Sequence, residues 1–323
     1  MKVSVLGCGR WGSFIAWYLC TYKHYDVTSW GPEHDYSYQV LKMTGKNEYV
    51  TLDPRIRLTA DLKEAVESAE LIVISISSQG LRGFAERIRA FDVSNRKFIL
   101  CMKGIEVETG KRLSEVMTES GFSPEQIAVW VGPGHIQAFT KGIPNCMVID
   151  SENEEYKRFL VDHFKSDLIR FYYGTDLIGT EIGAAAKNVM GIAAGALDGA
   201  GYVSLKGPLM ARGAREVARL MKAMGGNELS AYGLAHLGDY ETTLFSEYSH
   251  NRAYGEAMVK GQKFQKLAEG VTTAAAMKML GEKYGVDLPI TNAVYEACYD
   301  GKDEIDCLQI ILKLFSRDSK SEF

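Results

Sequence analysis

Lys2-Val3-Ser4-Val5-Leu6-Gly7-Cys8-Gly9-Arg10-Trp11-Gly12, continued by Ser13 to Thr21 (S-F-I-A-W-Y-L-C-T), is the stretch that decides the fold. Lys2 to Leu6 is a short β-rich run with no polar flank for a solvent face, as a central parallel strand requires. It runs straight into G-x-G-x-x-G, and Ser13 to Thr21 reads as the remainder of a buried helix. In the order strand, glycine loop, helix, the first glycine permits the tight turn. The second lets a pyrophosphate approach the backbone, and the third lets the helix pack on the strand. The helix N-terminus adds amide hydrogens and a partial positive charge. The bland alternative is an ordinary glycine turn.

The chain beyond repeats the strand pattern. Asp26 to Trp30 is a second run, Glu70 to Ile76 a third, Lys97 to Met102 a fourth and Ile127 to Val131 a fifth, with Cys146 to Ile149 and Ile169 to Tyr172 completing the set. The second ends in Ser29-Trp30-Gly31-Pro32, with Glu33 only after the proline. An acidic residue on the adenosine ribose is therefore not evident, and Arg10 is a partner for a 2′-phosphate, so the reading leans to NADPH. Ser77-Ser78-Gln79-Gly80 leaves the third run as a polar loop. Lys103-Gly104 stands at the exit of the fourth, where open parallel sheets bind ligands; a solvated lysine is the alternative. Gly132-Pro133-Gly134-His135 leaves the fifth as a loop that exposes amides. His135 there is an acid–base candidate or a surface or packing residue.

After Tyr173 the pattern changes, with the boundary near Gly179. Pro208 to Met224, Val271 to Tyr284, Pro289 to Tyr299 and Ile305 to Phe315 carry apolar residues at spacings of three and four. The expectation is an α/β fold, with a Rossmann-type doubly wound domain over residues 1–179 and an all-helical domain over 180–323. Lys320 to Phe323 reads as a loose tail. At 323 residues and 46% hydrophobic, the chain can fill both cores. A net charge of -4, from 37 basic and 41 acidic residues without long blocks, gives no support to a nucleic-acid or membrane partner. The six cysteines and six histidines lack metal-ligand spacing, so no metal is expected. No run approaches transmembrane length, and a cytoplasmic protein with reduced thiols is expected.

One helix stands out. Glu181 to Gly199 (E-I-G-A-A-A-K-N-V-M-G-I-A-A-G-A-L-D-G) is small and apolar nearly all round, yet it holds Lys187 and Asn188. Gly183, Gly191, Gly195 and Gly199 share a row of fourth positions with Lys187, a ridge for close approach. The lysine either snorkels to the surface or works in a site. Gly238-Asp239-Tyr240-Glu241-Thr242-Thr243 and Ser249-His250-Asn251-Arg252 are too polar for core, and composition makes them loop.

Taken together, G-C-G-R-W-G, Lys103-Gly104, Gly132-Pro133, A-K-N-V with A-A-G-A-L-D-G, the two polar clusters, Ala268-Glu269-Gly270 and the late P-I-T-N-A-V-Y-E-A-C-Y-D-G-K resemble the bacterial NAD(P)-dependent glycerol-3-phosphate dehydrogenases nearly end to end. The resemblance implies reduction of dihydroxyacetone phosphate to sn-glycerol 3-phosphate, supplying glycerophospholipid synthesis, with a homodimer as an expectation. It makes Lys187 the catalytic lysine, with Lys103 and Asp239 beside it in the mechanism. A carbonyl accepting hydride needs a proton and a nearby positive charge. Desolvation and Lys103 would lower the lysine's pKa, and Asp239 would oppose that shift. Substrate contacts are implied for Lys103, Lys187, Asn188, Asp239, Thr243, Asn251, Gly132, Gly134, His250 and Arg252. Cofactor contacts are implied for Gly7, Gly9, Arg10, Trp11, Gly12, Ser78, Lys103, Ile136, His250, Leu267 and Glu269.

Two departures bear on the substrate. His250 replaces an arginine that meets phosphate in the family, and Gly134 replaces a residue with a hydroxyl. His135, His250 or Arg252 is the expected compensation. The helix around Lys187 is expected to wall the nicotinamide end, its glycine ridge packing partly on the nucleotide domain. The competing readings are a reductase of another small carbonyl compound and a nucleotide-binding sensor without turnover.

Overall fold

The computed structural model describes residues 1–316; the expected tail at Lys320 to Phe323 lies outside the described residues. Two compact units form, one of Met1–Lys103 with Lys111–Leu177, the other of Gly104–Gly110 with Ile178–Phe323. The short return of Gly104–Gly110 into the second unit had no signal in the sequence.

The first unit is one sheet of eight strands: β1 (Lys2–Leu6), β2 (Asp26–Trp30), β3 (Arg57–Thr59), β4 (Leu71–Ile74), β5 (Lys97–Leu100), β6 (Ile127–Val131), β7 (Asn145–Asp150) and β8 (Ile169–Tyr173). Their order across the sheet is β3-β2-β1-β4-β5-β6-β7-β8. β1 is interior, as a short β-rich run without a solvent-facing polar flank requires, with Val3 opposite Val27 on one side and Leu71 on the other. Chain order reverses between β1 and β4, the switch point at which such sheets bind ligands.

All pairings are parallel except β6 with β7. The intervening chain carries only α6 (Ile136–Phe139), too little helix for a parallel crossover, so β7 returns antiparallel. β3 is absent from the sequence reading because R-L-T is too short to show a period. The fourth-run and third-run ends, Met102 and Ile76, lie past the strands they were assigned to.

Both sheet faces are covered. Val3, Val5, Val73, Ile99 and Trp130 point into a cluster with Phe14 and Ile15 of α1 (Arg10–Thr21) and Leu160 and Phe164 of α7 (Glu154–Phe164). The alternate residues Leu6, Ile72, Ile74, Phe98 and Val129 face a second cluster. It includes Ala65 of α3 (Leu62–Glu67), Phe84 of α4 (Leu81–Arg89) and Val116 of α5 (Leu113–Glu119). Alternating side chains buried on both faces are what a parallel sheet between helix layers produces. α2 (Tyr36–Thr44), capped by Asp35, lies between β2 and β3.

The second unit is helical: α8 (Leu177–Gly199), α9 (Lys206–Ala223), α10 (His250–Val259), α11 (Glu269–Tyr284), α12 (Pro289–Tyr299) and α13 (Glu304–Leu312). α8 is buried from Gly179 to Leu197 without a break, the consequence of an apolar surface all round. Buried Glu216 of α9 accepts from the amides of Ile290 and Thr291 at 2.7 and 2.9 Å, supplying the start of α12 with partners its own Leu288 lacks.

The glycine ridge packs within this unit. A Cβ on Gly195 would stand 1.9 Å from the Arg252 carbonyl oxygen, and one on Gly191 would stand 2.9 Å from a Thr243 methyl. Gly199 faces Val259, and Gly183 faces His236. Along Gly191, Gly195 and Gly199 its groove is α10, with Gly255 offering the reciprocal close approach to Ile192.

Candidate active site

In the sheet unit, Gly7 has φ +114°, and a Cβ there would lie 2.1 Å from the Ser75 carbonyl oxygen. A Cβ on Gly12 would lie 1.7 Å from the Gly7 carbonyl oxygen. Both positions demand glycine for turn and packing. Gly9 differs: a Cβ there meets nothing within 4 Å, and as N-cap of α1 it offers no side chain to the helix amides, with no acidic residue in the first turn. Space and amides together fit a pyrophosphate. Ser78 is buried in a 3-10 turn after β4. Ile136 is buried in the same apolar cluster as Phe14.

Near the end of β2, Asp35 brings its carboxylate within 4.0 Å of the Cys8 thiol in the glycine loop. Burial, with Asp35 adding to it, pushes that thiol up to about 12. Arg10 lies 5.9 Å from the Tyr49 ring centre. Beyond β5, Lys103 Nζ donates to the Gly132 carbonyl at 2.8 Å and stands 5.8 Å from the Trp11 ring centre. Trp11, Cys101, Lys103, Trp130 and Met147 line one small recess. Gly132 has φ +123°, so the loop there needs glycine. A Cβ on Gly134 would lie 2.4 Å from the Phe139 ring, which stacks on Phe14 at 5.1 Å. The hydroxyl missing from Gly134 is thus traded for aromatic packing.

In the helical unit, Lys187 is 8% exposed, so it does not snorkel. Its Nζ lies 3.0 Å from Asp239 Oδ2 and donates to Thr243 Oγ1 at 2.7 Å. Asp239 is fully buried and also accepts from Thr242 Oγ1. The reading of Gly238 to Thr243 and Ser249 to Arg252 as loop is corrected. Leu237–Asp239 is a 3-10 turn, Glu241–Phe245 a π turn, and Ser249 caps α10 by accepting from the Arg252 amide. Asp239, Tyr240, Thr242, Thr243 and Leu244 are buried. Polar residues sit in this core because they bond one another and Lys187.

Asn188 is buried beside Lys187 on α8. Asn251 Oδ1 accepts from the Gly270 amide at 2.9 Å, near the start of α11. His250 Nδ1 donates to the Leu267 carbonyl at 3.3 Å, and Glu269 is the first residue of α11. Arg252, expected at a phosphate, has Nε 2.5 Å from Asp198, whose carboxylate Lys206 Nζ also meets at 2.6 Å. That guanidinium edge joins a buried ion cluster. Sequence reasoning missed His236 and Tyr240, both 0% exposed. Their spacing of four, bracketing Asp239, was the available signal.

Among the described residues no three or more His, Cys, Asp or Glu side chains group as metal ligands, and no helix is long and apolar enough to cross a membrane. A glycine-loop dinucleotide sheet with a helical unit that buries a carboxylate-held lysine defines a class, the two-unit dinucleotide-dependent oxidoreductases. Comparison narrows the class. The chain belongs to the NAD-dependent glycerol-3-phosphate dehydrogenase family, whose N-terminal model matches residues 2–157 and whose C-terminal model matches residues 176–309.

A glycerol-3-phosphate dehydrogenase [NAD(P)+] of Chlorobium phaeobacteroides is 36% identical, covering 100% of this chain and 99% of the relative. One of Moorella thermoacetica is 35% identical over 97% of this chain and 96% of the relative. The crystal structure of glycerol-3-phosphate dehydrogenase from Coxiella burnetii superposes with a TM-score of 0.88 at 26% identity, covering 98% of this chain and 99% of that one.

Proposed function

We infer that this protein reduces dihydroxyacetone phosphate to sn-glycerol 3-phosphate. The observation that carries the chemistry is Lys187, buried in α8 and held by Asp239 and Thr243. Bound NAD(P)H, on the amides of the Gly7–Gly12 loop, supplies the hydride. The chain's own part is to manage charge and protons. As the C2 carbonyl becomes an alcohol, its oxygen takes up negative charge and then a proton, and an ammonium in a dry site provides for both. Asp239 pairs with that ammonium, and Thr243 fixes its direction. Lys103, restrained by the Gly132 carbonyl, is the second cation for the substrate. Asn251 presents donors to the phosphate end, and Asn188 and His250 complete the polar set.

NADPH is preferred over NADH by a modest factor in this proposal. Arg10 attracts a 2′-phosphate, while the Asp35 carboxylate beside the glycine loop works against one. The same reading carries a cytoplasmic homodimer whose product feeds glycerophospholipid synthesis.

The test is steady-state oxidation of NADPH and NADH with dihydroxyacetone phosphate, against a panel of unphosphorylated ketones. Turnover of the phosphorylated ketone with at least one cofactor is expected; turnover confined to another carbonyl compound overturns the reading.

A further inference from the structure

His236 is a titratable side chain with 0% exposure, and the chemistry above gives it no task. Its Nδ1 lies 2.9 Å from the Gly183 carbonyl oxygen and its Nε2 2.7 Å from the Tyr240 hydroxyl. A carbonyl only accepts, so Nδ1 carries the proton; in the neutral ring Nε2 then accepts from Tyr240. Every polar atom of the ring is thereby committed. Gly183 lies on α8 about one turn before Lys187, and a Cβ at that glycine would stand 2.9 Å from His236 Cβ. The missing side chain is what lets the ring reach the helix.

The backbones of the same two residues hold the partners of the lysine. The His236 carbonyl accepts from the Asp239 amide at 3.0 Å, and the Tyr240 carbonyl accepts from the Thr243 amide at 3.1 Å. Asp239 and Thr243 are the residues whose side chains meet Lys187 Nζ. Tyr240 is braced in turn by α9, where a Cβ on Gly213 would come within 3.0 Å of its hydroxyl. The rings of His236 and Tyr240 meet edge to face at 4.8 Å.

We propose that His236 and Tyr240 are positioning residues, a clamp that ties the Leu237–Phe245 turns to α8 one turn before Lys187 and so sets Asp239 and Thr243 on its ammonium. The clamp rests on the reading of Lys187 as proton donor. His236 itself acts only through others, since its ring is sealed from any substrate. Burial holds the ring down at about 4, with nearby Lys187 adding to that and the Gly183 carbonyl and Asp239 opposing, so it remains neutral where enzymes of this kind work. A neutral ring keeps Nε2 as acceptor and the clamp closed.

Three variants test it: Tyr240→Phe, His236→Leu and His236→Asn, each measured for kcat, KM, the pH profile of kcat, cofactor binding by fluorescence and fold by circular dichroism. In Tyr240→Phe and His236→Leu, kcat is expected to fall about 10- to 100-fold, the effect of a misplaced reacting group. The limb of the profile belonging to Lys187 should move, and cofactor affinity should stay near wild type. His236→Asn keeps an N–H for the Gly183 carbonyl and should recover part of kcat. Folded variants with wild-type kcat and an unmoved profile would overturn the clamp. So would an equal loss in all three with the profile unmoved, which is plain core damage. Should His236→Leu not fold, Tyr240→Phe removes a single oxygen and carries the test. Lys187→Met, run in parallel, separates the two claims: turnover surviving there overturns the proton-donor reading, whatever the clamp variants do.

Discussion

Lys187 is an ammonium in a helix built mostly of alanine, glycine and other apolar residues, and it is tolerated because Asp239 and Thr243 meet it at 3.0 and 2.7 Å. Replacing it with methionine preserves length and apolar stem but removes proton and charge. Ketone reduction in Lys187→Met is expected to drop by about 1,000-fold or more, within the range for loss of a general acid combined with charge stabilisation. Nicotinamide binding, which depends on the glycine loop, should survive. The variant leaves Asp239 buried without its main partner, at a cost of about 3–5 kcal/mol, so thermal unfolding and cofactor titration must accompany the kinetics. Wild-type-like turnover would sink the mechanism. Arg10 allows a second test at this scale. In Arg10→Ala, kcat/KM should fall about tenfold for NADPH and little for NADH, since one charge-assisted contact is worth roughly 1.4 kcal/mol. An equal fall for both cofactors would assign Arg10 to the shared pyrophosphate, removing the case for NADPH preference.

At the level of elements, the crossing of α8 and α10 sets where Lys187 and Asn251 stand. Gly195 and Gly255 let the two backbones touch, since a Cβ on either would lie about 2 Å from a carbonyl oxygen of the other helix. Gly195→Val should therefore force the helices apart and destabilise the protein by roughly 3 kcal/mol or more. Gly83 in α4 is exposed and has nothing within 4 Å of its Cβ position, and Gly83→Ala should stabilise by about 0.5–1 kcal/mol. Urea unfolding of both variants checks the contrast; a neutral Gly195→Val would mean the crossing can relax. The four-residue spacing of those glycines was legible in the sequence, but its partner was not, because a ridge does not name its groove. Strands β1, β2 and β6 were legible to the residue, since each is a short β-rich run that stops at a glycine, Gly7, Gly31 and Gly132. The turns around Asp239 were not: Thr242, Thr243 and Asp239 look solvated until their mutual hydrogen bonds and the lysine are known. Arg252 illustrates the same limit. Its sequence position suggested a phosphate, and only the fold reveals Asp198 and Lys206 beside it.

For the whole molecule, stability is tied to pH through groups that the two cores bury, and His236 is the clearest. Its ordinary pKa of 6.5 is lowered to about 4 in the fold, so above 6.5 the ring is neutral in folded and unfolded chains alike and its contribution is fully present. As pH falls from 6.5 toward 4, the unfolded chain takes up a proton that the folded chain refuses, and stability is lost at about 1.4 kcal/mol for each pH step. Glu216 acts in the opposite direction, because burial raises its carboxyl above 4.5 and the folded chain binds that proton first. The wild-type curve alone therefore mixes the two signs. Comparison with His236→Asn isolates the histidine, since asparagine does not titrate and Glu216 is common to both. All four tryptophans, Trp11, Trp17, Trp30 and Trp130, lie in the sheet unit, so far-ultraviolet circular dichroism rather than tryptophan emission should follow the urea transition. The variant is expected to be less stable than wild type at pH 7.5, and that deficit should shrink by about 2 kcal/mol at pH 5. A deficit of the same size at both pH values would mean that the folded ring titrates like the unfolded one, and the neutral, Tyr240-bonded histidine would have to be abandoned.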